Sequence, residues 1–171
     1  MTIRTILTAA LLCAPTFLAA QVSDTLVPRG LCVGEVDALR RGYDMGGART
    51  AEAVGLPSPE RAIELADELT LNLGQIEAIN AVHNVVLVEG QRLGRAIIEH
   101  ESKLDSIFTG DPRDWTVRPI VLEIGNLQTE LRYVHLRARM RMKDILSTTQ
   151  QKRYATMVTE KKTEHAGRVG E

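Results

Sequence analysis

Aromatic residues are scarce in this chain, and that scarcity limits how a core can form. They make up 4% of the 171 residues, with a single Trp, although hydrophobic residues as a whole reach 44%. A core must therefore come mainly from Leu, Ile, Val and Ala. No stretch shows the alternation of apolar and polar residues that is typical of a half-buried strand. The sequence predicts an all-α fold.

An excess of charge is also missing, and so are the common catalytic motifs. The chain has 21 Lys and Arg against 22 Asp and Glu, so no overall attraction to nucleic acid is expected. It contains no HExxH zinc helix, no glycine-rich phosphate loop and no nucleophile elbow. We therefore expect no enzyme, no catalytic residue and no required cofactor.

The N-terminus has the features of a secretory signal peptide. Arg4 precedes an apolar run from Ile6 to Ala14, and small residues end the segment at Ala20. The run is too short and too interrupted to span a membrane well. We expect a signal peptide at residues 1–20, cleavage near Ala20, and a periplasmic protein that has no membrane span once the signal is removed.

Cysteine is nearly absent, which excludes a disulfide framework. Cys13 would leave with the signal peptide, so Cys32 is expected to be a lone thiol. Three roles stay open for it: pairing between molecules, metal or redox chemistry, or no role at all.

The composition divides the rest of the chain into an arm, a helical region and a tail. Residues 21–57 contain six glycines and predict a mostly irregular arm that packs loosely, with short helical turns at Glu35–Arg41 and Ala48–Val54. Residues 58–165 form the helical domain. A disordered tail is expected at 166–171.

Helix signals within 58–165 predict four helices. Ser58 and Pro59 begin the first, which should end at Leu69. The second follows Asn72 and continues to Gly110. The third begins between Trp115 and Val117, with Pro119 in its first turn, and runs antiparallel to the second. Ser147 caps the fourth.

The two long helices each carry an apolar seam with steps of three and four residues, as in a coiled coil. Gly90 and Gly94 interrupt the first of them, where they permit a bend or a close helix approach. The predicted seam residues are Ile76, Ile79, His83, Val86, Gly90, Leu93, Ile97, His100, Leu104 and Ile107 on the first helix, and Ile120, Ile124, Leu127, Leu131, Val134, Ala138, Met142 and Ile145 on the second.

One short pattern occurs twice, before the second and the fourth helix. It consists of a leucine, a helix-capping residue and a glutamine three positions further on. The two copies are Leu71, Asn72 and Gln75, and Leu146, Ser147 and Gln150. Each predicts a capping box, in which the cap side chain accepts from an amide one turn on and the glutamine accepts from the amide of the cap.

This repeated pattern resembles the LTxxQ motif of the Spy/CpxP family of periplasmic chaperones and heavy-metal-resistance-associated proteins, with Asn72 and Ser147 where Thr is usual. The resemblance covers roughly residues 48–154. It implies a long antiparallel helical hairpin with short flanking helices, two of which pair into a cradle-like homodimer. It also implies an ATP-independent chaperone that binds unfolded or stressed envelope proteins.

Two other functions stay open beside the chaperone. One is a sensor or resistance protein that binds zinc, copper or nickel and reports to a membrane-bound sensor partner. The other is a helical adaptor for one folded partner.

The third predicted helix carries the candidate client-binding surface. Between Leu131 and Asp144 it has five cations and no acid, and a second apolar face on the side away from its seam. Long-range attraction and apolar contact would act together on a non-native chain, with Met supplying adaptable contacts. The alternative is that this face packs against the rest of the protein. The candidate residues are Arg132, Leu136, Arg137, Arg139, Met140 and Arg141.

Histidines provide the only candidates for a metal site. His83 and His100 are 17 residues apart on one helix, about 25 Å, which is too far for a shared site. One turn beyond His135 stands Arg139, whose charge repels a cation. A divalent metal would need a site assembled across a dimer from His83, His135 or Met140.

Overall fold

The fold is known from a computed structural model, which describes the backbone of residues 27–168 and the side chains of 27–159. The expected signal peptide at 1–20, the first six residues of the arm and residues 169–171 lie outside that range. The helices are α1 (Val33–Arg40), α2 (Arg49–Ala53), α3 (Pro59–Glu64), α4 (Leu73–Thr109), α5 (Asp114–Ile145) and α6 (Thr148–Arg168). No strand occurs in the described range, which confirms the all-α prediction.

An antiparallel hairpin of α4 and α5 forms the body of the molecule. With 37 residues, α4 is about 55 Å long. It begins where the Asn72 side chain accepts from the Gln75 amide at 2.9 Å, and it ends at Gly110. A short turn through Asp111 and Pro112 then reverses the chain into α5. The long hairpin with short flanking helices is confirmed.

The predicted seams form the hairpin core. Fully buried seam side chains are worth roughly 1.5–3 kcal/mol each, so this interface supplies much of the stability of the fold. The buried seam side chains are Ile79, Leu93 and Ile97 on α4, and Ile124, Leu131, Val134, Ala138 and Met142 on α5.

Two predicted helix boundaries are wrong. We expected Pro119 in the first turn of its helix, but α5 starts at Asp114, where the Arg113 amide donates to Thr116 Oγ1 at 3.2 Å. Pro119 therefore stands in the second turn, where it has no N–H to donate to the Trp115 carbonyl.

The helix that begins at Pro59 ends at Glu64 rather than at Leu69. Residues 65–70 form turns instead, and Thr70 takes a left-handed φ of 50°, which an α-helix cannot contain. The turns bury Leu65 and Leu69 against Tyr154 of α6.

The arm is folded on the hairpin more tightly than its composition indicates. The two expected helical turns are present as α1 and α2, and α1 inserts Val36 and Leu39, which are 2% and 0% exposed. A Cβ atom on Gly94 would lie 1.9 Å from the Leu39 carbonyl oxygen. Gly90 and Gly94 therefore allow the backbone of the arm to pack directly against α4.

Candidate functional site

The two copies of the leucine–cap–glutamine motif meet in space, although 75 residues separate their glutamines. Gln75 Nε2 donates to Gln150 Oε1 at 2.9 Å, and Gln150 Nε2 donates to Gln75 Oε1 at 3.1 Å. Each Oε1 also accepts from the amide of its own cap, Asn72 at 3.1 Å and Ser147 at 2.8 Å. We call Gln75 and Gln150 with these bonds the glutamine clasp.

The clasp also ties each helix start to the end of a different segment. Gln75 Nε2 donates to the Ile145 carbonyl at the end of α5, at 2.9 Å. Gln150 Nε2 donates to the Leu69 carbonyl, just before the start of α4, at 3.2 Å. Leu146 is buried beside this junction, and Leu71 is half-buried there. The motif therefore joins three chain segments as well as capping two helices.

The cations of α5 lie on opposite sides of its seam, as their spacing predicts. Arg132 and Arg139 lie on the side that the arm covers. The stem of Arg132 runs beside Gly47, and Arg139 Nη1 donates to the Leu56 carbonyl at 2.9 Å. Arg137 and Arg141 line the other side. The six candidate residues therefore do not form one continuous patch, because the two basic rows lie on opposite sides of the seam and the arm covers one of them.

The outer face of α5, away from its seam, exposes large apolar side chains. Leu122 and Tyr133 are each 55% exposed and Met140 is 51% exposed, whereas Leu136 is half-buried. The Arg137 guanidinium stands 5.9 Å from the centre of the Tyr133 ring, a cation–π contact. We call Leu122, Tyr133, Leu136 and Met140 the outer face.

A groove lies between α4 and α5 on the side that the arm leaves uncovered, next to Arg137 and Arg141. Its volume is about 370 Å³. Val85 in its wall is 52% exposed, and the neighbouring Val88 is 63% exposed. Its lining residues are Ala81, Val82, Val85 and Val86 of α4, with Val134, Arg137, Ala138 and Arg141 of α5.

The sequence prediction missed two of the valines that line this groove, Val82 and Val85. With the neighbouring Val88 they recur at steps of three, beside the seam of α4 rather than on it. That second apolar row was the available signal, and it adds apolar surface next to Arg137 and Arg141.

The structure brings His83 and His135 together within one chain. Both line a cavity of about 140 Å³ between the arm and the hairpin, together with Arg41, Asp44, Glu60 and Arg139. His135 Nε2 lies 2.8 Å from the Gly42 carbonyl oxygen, so it donates to the arm. Met140 is exposed on the outer face and does not line this cavity. Within residues 27–159, no three His, Cys, Asp or Glu side chains group closely enough to hold a metal ion.

The carboxyl group of Glu101, near the start of the described arm, lies in surroundings that disfavour its ionised form. Burial raises the pKa of Glu101, and the nearby carboxylates of Asp105 and Glu35 raise it further. The arm is nevertheless fixed there, since the Arg29 amide donates to Asp105 Oδ2 at 2.8 Å. Cys32, the residue before α1, is exposed.

Comparison with protein-family models, with curated proteins and with solved structures found no match to this chain. Within the described residues, no helix is long and apolar enough to cross a membrane.

Proposed function

We propose that this protein is an exported, ATP-independent chaperone that binds unfolded or stressed envelope proteins, as the Spy/CpxP resemblance implies. The observation that supports it best is the exposure of the outer face of α5. Half or more of the surface of Tyr133 and Met140 faces solvent about one turn from Arg137, and Leu122 is similarly exposed about 16 Å from Tyr133 along α5. A large exposed apolar patch flanked by charge is typical of a surface that binds other proteins.

The arrangement suits clients that are apolar and carry acidic groups. Arg137 and Arg141 attract a chain over a distance of about 10 Å at moderate salt. The outer face and the valines of the groove then retain it by apolar contact, which salt does not weaken. Because Arg132 and Arg139 contact the arm, we assign capture to Arg137 and Arg141.

Two double variants separate these steps. Arg137→Gln with Arg141→Gln should slow client capture and remove its salt dependence. Tyr133→Ser with Met140→Ser should instead shorten client residence. Stopped-flow binding to a reduced, unfolded model protein measures both rates. Arg95→Gln with Arg118→Gln is the matched control for charge, and Val33→Ser with Val54→Ser is the control for exposed apolar surface.

Light scattering from an aggregating client tests the function itself. We expect suppression for several unrelated clients, equal with and without a chelator. If both double variants stay folded and suppress aggregation as well as the parent, the outer face is not the client surface. Suppression that requires a retained metal would favour the sensor, and binding of one folded protein alone would favour the adaptor.

A further inference from the structure

The end of the hairpin where α4 turns into α5 carries two of the six aromatic residues of the chain, and both are exposed. Of the one Trp and two Phe in the sequence, all but Phe17 lie here. Trp115 is 72% exposed and Phe108 is 59% exposed. The Arg113 guanidinium stands 6.0 Å from the centre of the Trp115 ring. We call Phe108 and Trp115, with the turn between them, the hairpin tip.

We propose that the hairpin tip docks on the interfacial region of a zwitterionic phospholipid bilayer. Trp and Phe have large apolar rings, and Trp also has an N–H that favours the boundary between hydrocarbon and water. Two such rings at the end of a rod enter that boundary without any helix crossing it. This proposal does not depend on the chaperone function.

The shape of the tip favours a bilayer over a folded protein as the occupant. A stable protein interface needs about 800 Å² from each partner, usually from a surface with a central pocket. The tip is the turn between two helices, and its large exposed side chains are Phe108 and Trp115. Protruding rings on such a surface suit a soft, deformable partner.

The charge of the tip determines which lipid it fits. Residues 103–118 contain three cations and three acids, and Arg113 is already paired with Asp111 at 2.6 Å. A neutral tip gains little from anionic headgroups, so its binding should depend weakly on salt.

The start of the described chain lies near the same end of the molecule. The Arg29 amide donates to Asp105 Oδ2 of α4, so the described part of the chain begins beside the hairpin tip. The sequence before Val27 includes the apolar run Ile6–Ala14. If export brings this run to the bilayer, the hairpin tip is near the lipid surface at that stage.

Because the protein has one Trp, Trp115 itself reports on the proposed contact. The test uses protein purified after export, with its N-terminus established by mass spectrometry, and phosphatidylcholine vesicles with and without phosphatidylglycerol. We expect the Trp115 emission to move to shorter wavelength and its quenching by iodide to fall with both vesicle types. Phe108→Ser should weaken binding about tenfold, the scale of one buried apolar side chain.

Vesicle flotation extends the test to variants without the fluorophore. Trp115→Ser should be lost from the floating fraction, whereas Tyr133→Ser should float as the parent does. Aggregation suppression by both tip variants should be unchanged, which separates this proposal from the chaperone function. The proposal is overturned if neither vesicle binds, if binding occurs only with phosphatidylglycerol and disappears in salt, or if Tyr133→Ser reduces binding as much as Phe108→Ser.

Discussion

At the scale of single residues, the motif glutamines have two separable duties. Their Oε1 atoms cap helices, and their Nε2 atoms bridge segments that are distant in sequence. A side-chain amide accepts and donates at once, whereas a carboxylate only accepts. That chemistry explains why the motif ends in Gln, when Glu would serve a simple capping box equally well.

Gln75→Glu tests this division. The carboxylate can still accept from the Asn72 amide, but it cannot donate to the Ile145 carbonyl or to Gln150. We expect a loss of about 1–3 kcal/mol in the free energy of unfolding, the cost of leaving partly buried groups without partners. Urea melts measure it, with the exposed Gln128→Glu as control.

Asn72→Ala, which removes only a cap, should cost about 1 kcal/mol. If Gln75→Glu is as stable as the parent, the bridging bonds contribute nothing and the motif is a capping device alone.

At the scale of helices, Gly90 and Gly94 of α4 reverse the usual effect of a Gly→Ala substitution. In an open helix interior, Ala is favoured by roughly 0.5–1 kcal/mol. Gly94→Ala should instead destabilise by about 2 kcal/mol or more, because its methyl group would meet the Leu39 carbonyl. Gly125→Ala on α5 is the matched control, since no atom outside its own helix lies within 4 Å of the added carbon.

Thermal melts of the two variants should therefore move in opposite directions. Hydrogen exchange should show that Gly94→Ala reduces the protection of backbone amides in α1 and in the part of α4 that contacts α1. Stabilisation by Gly94→Ala would mean that the arm does not rest on α4 in solution.

The arm should also respond to pH through Glu101. Its pKa is raised in the folded protein, so the ionised form is disfavoured there. The stability that this group gives to the folded state is fully present when the pH is below its ordinary pKa of 4.5. It is lost as the pH rises through the raised pKa of the folded protein.

We expect Glu101→Gln to stabilise the arm at pH 7, by at most about 0.5 kcal/mol because solvent still screens this partly buried group. The difference should vanish near pH 4. Urea melts at both pH values check it, with Glu77→Gln, an exposed site on the same helix, as control. A larger difference at the lower pH would contradict this assignment.

Sequence periodicity was sufficient to predict the hairpin but not the packing of the arm. The seams of α4 and α5 could be predicted because apolar residues at steps of three and four mark the buried face of a long helix. The docking of the arm could not be predicted. Its six glycines indicate an irregular chain whether or not the backbone packs on the hairpin. Its docking is visible only in tertiary contacts, such as those of Gly94 with Leu39 and of His135 with Gly42.

The candidate site was partly predictable for the same reason. The exposure of Tyr133 and Met140 follows from the helical projection of α5. The covering of Arg139 by the arm does not, since it depends on a contact with Leu56, which is 83 residues away in sequence. The meeting of Gln75 with Gln150 is likewise a tertiary contact that no local pattern specifies.

At the scale of the whole molecule, the predicted homodimer is open to a direct test. The groove and the outer face leave more apolar surface exposed than a lone hairpin needs, and closed symmetric pairing would cover part of it. We expect sedimentation equilibrium to give twice the mass of the chain at micromolar concentration, with dissociation on dilution. A mass that equals one chain at every concentration would exclude the cradle.

The glutamine clasp has a further consequence, which concerns the lifetime of the folded state. The α4–α5 hairpin closes through a short turn, whereas the clasp joins residues 75 positions apart, a closure that costs about 4 kcal/mol of chain entropy. We therefore expect local contacts to form first and the clasp to form after the folding transition state. Gln75→Glu should then speed unfolding in stopped-flow experiments and leave the folding rate unchanged. Two amide side chains would thus govern how long each molecule stays folded, without affecting how quickly it folds.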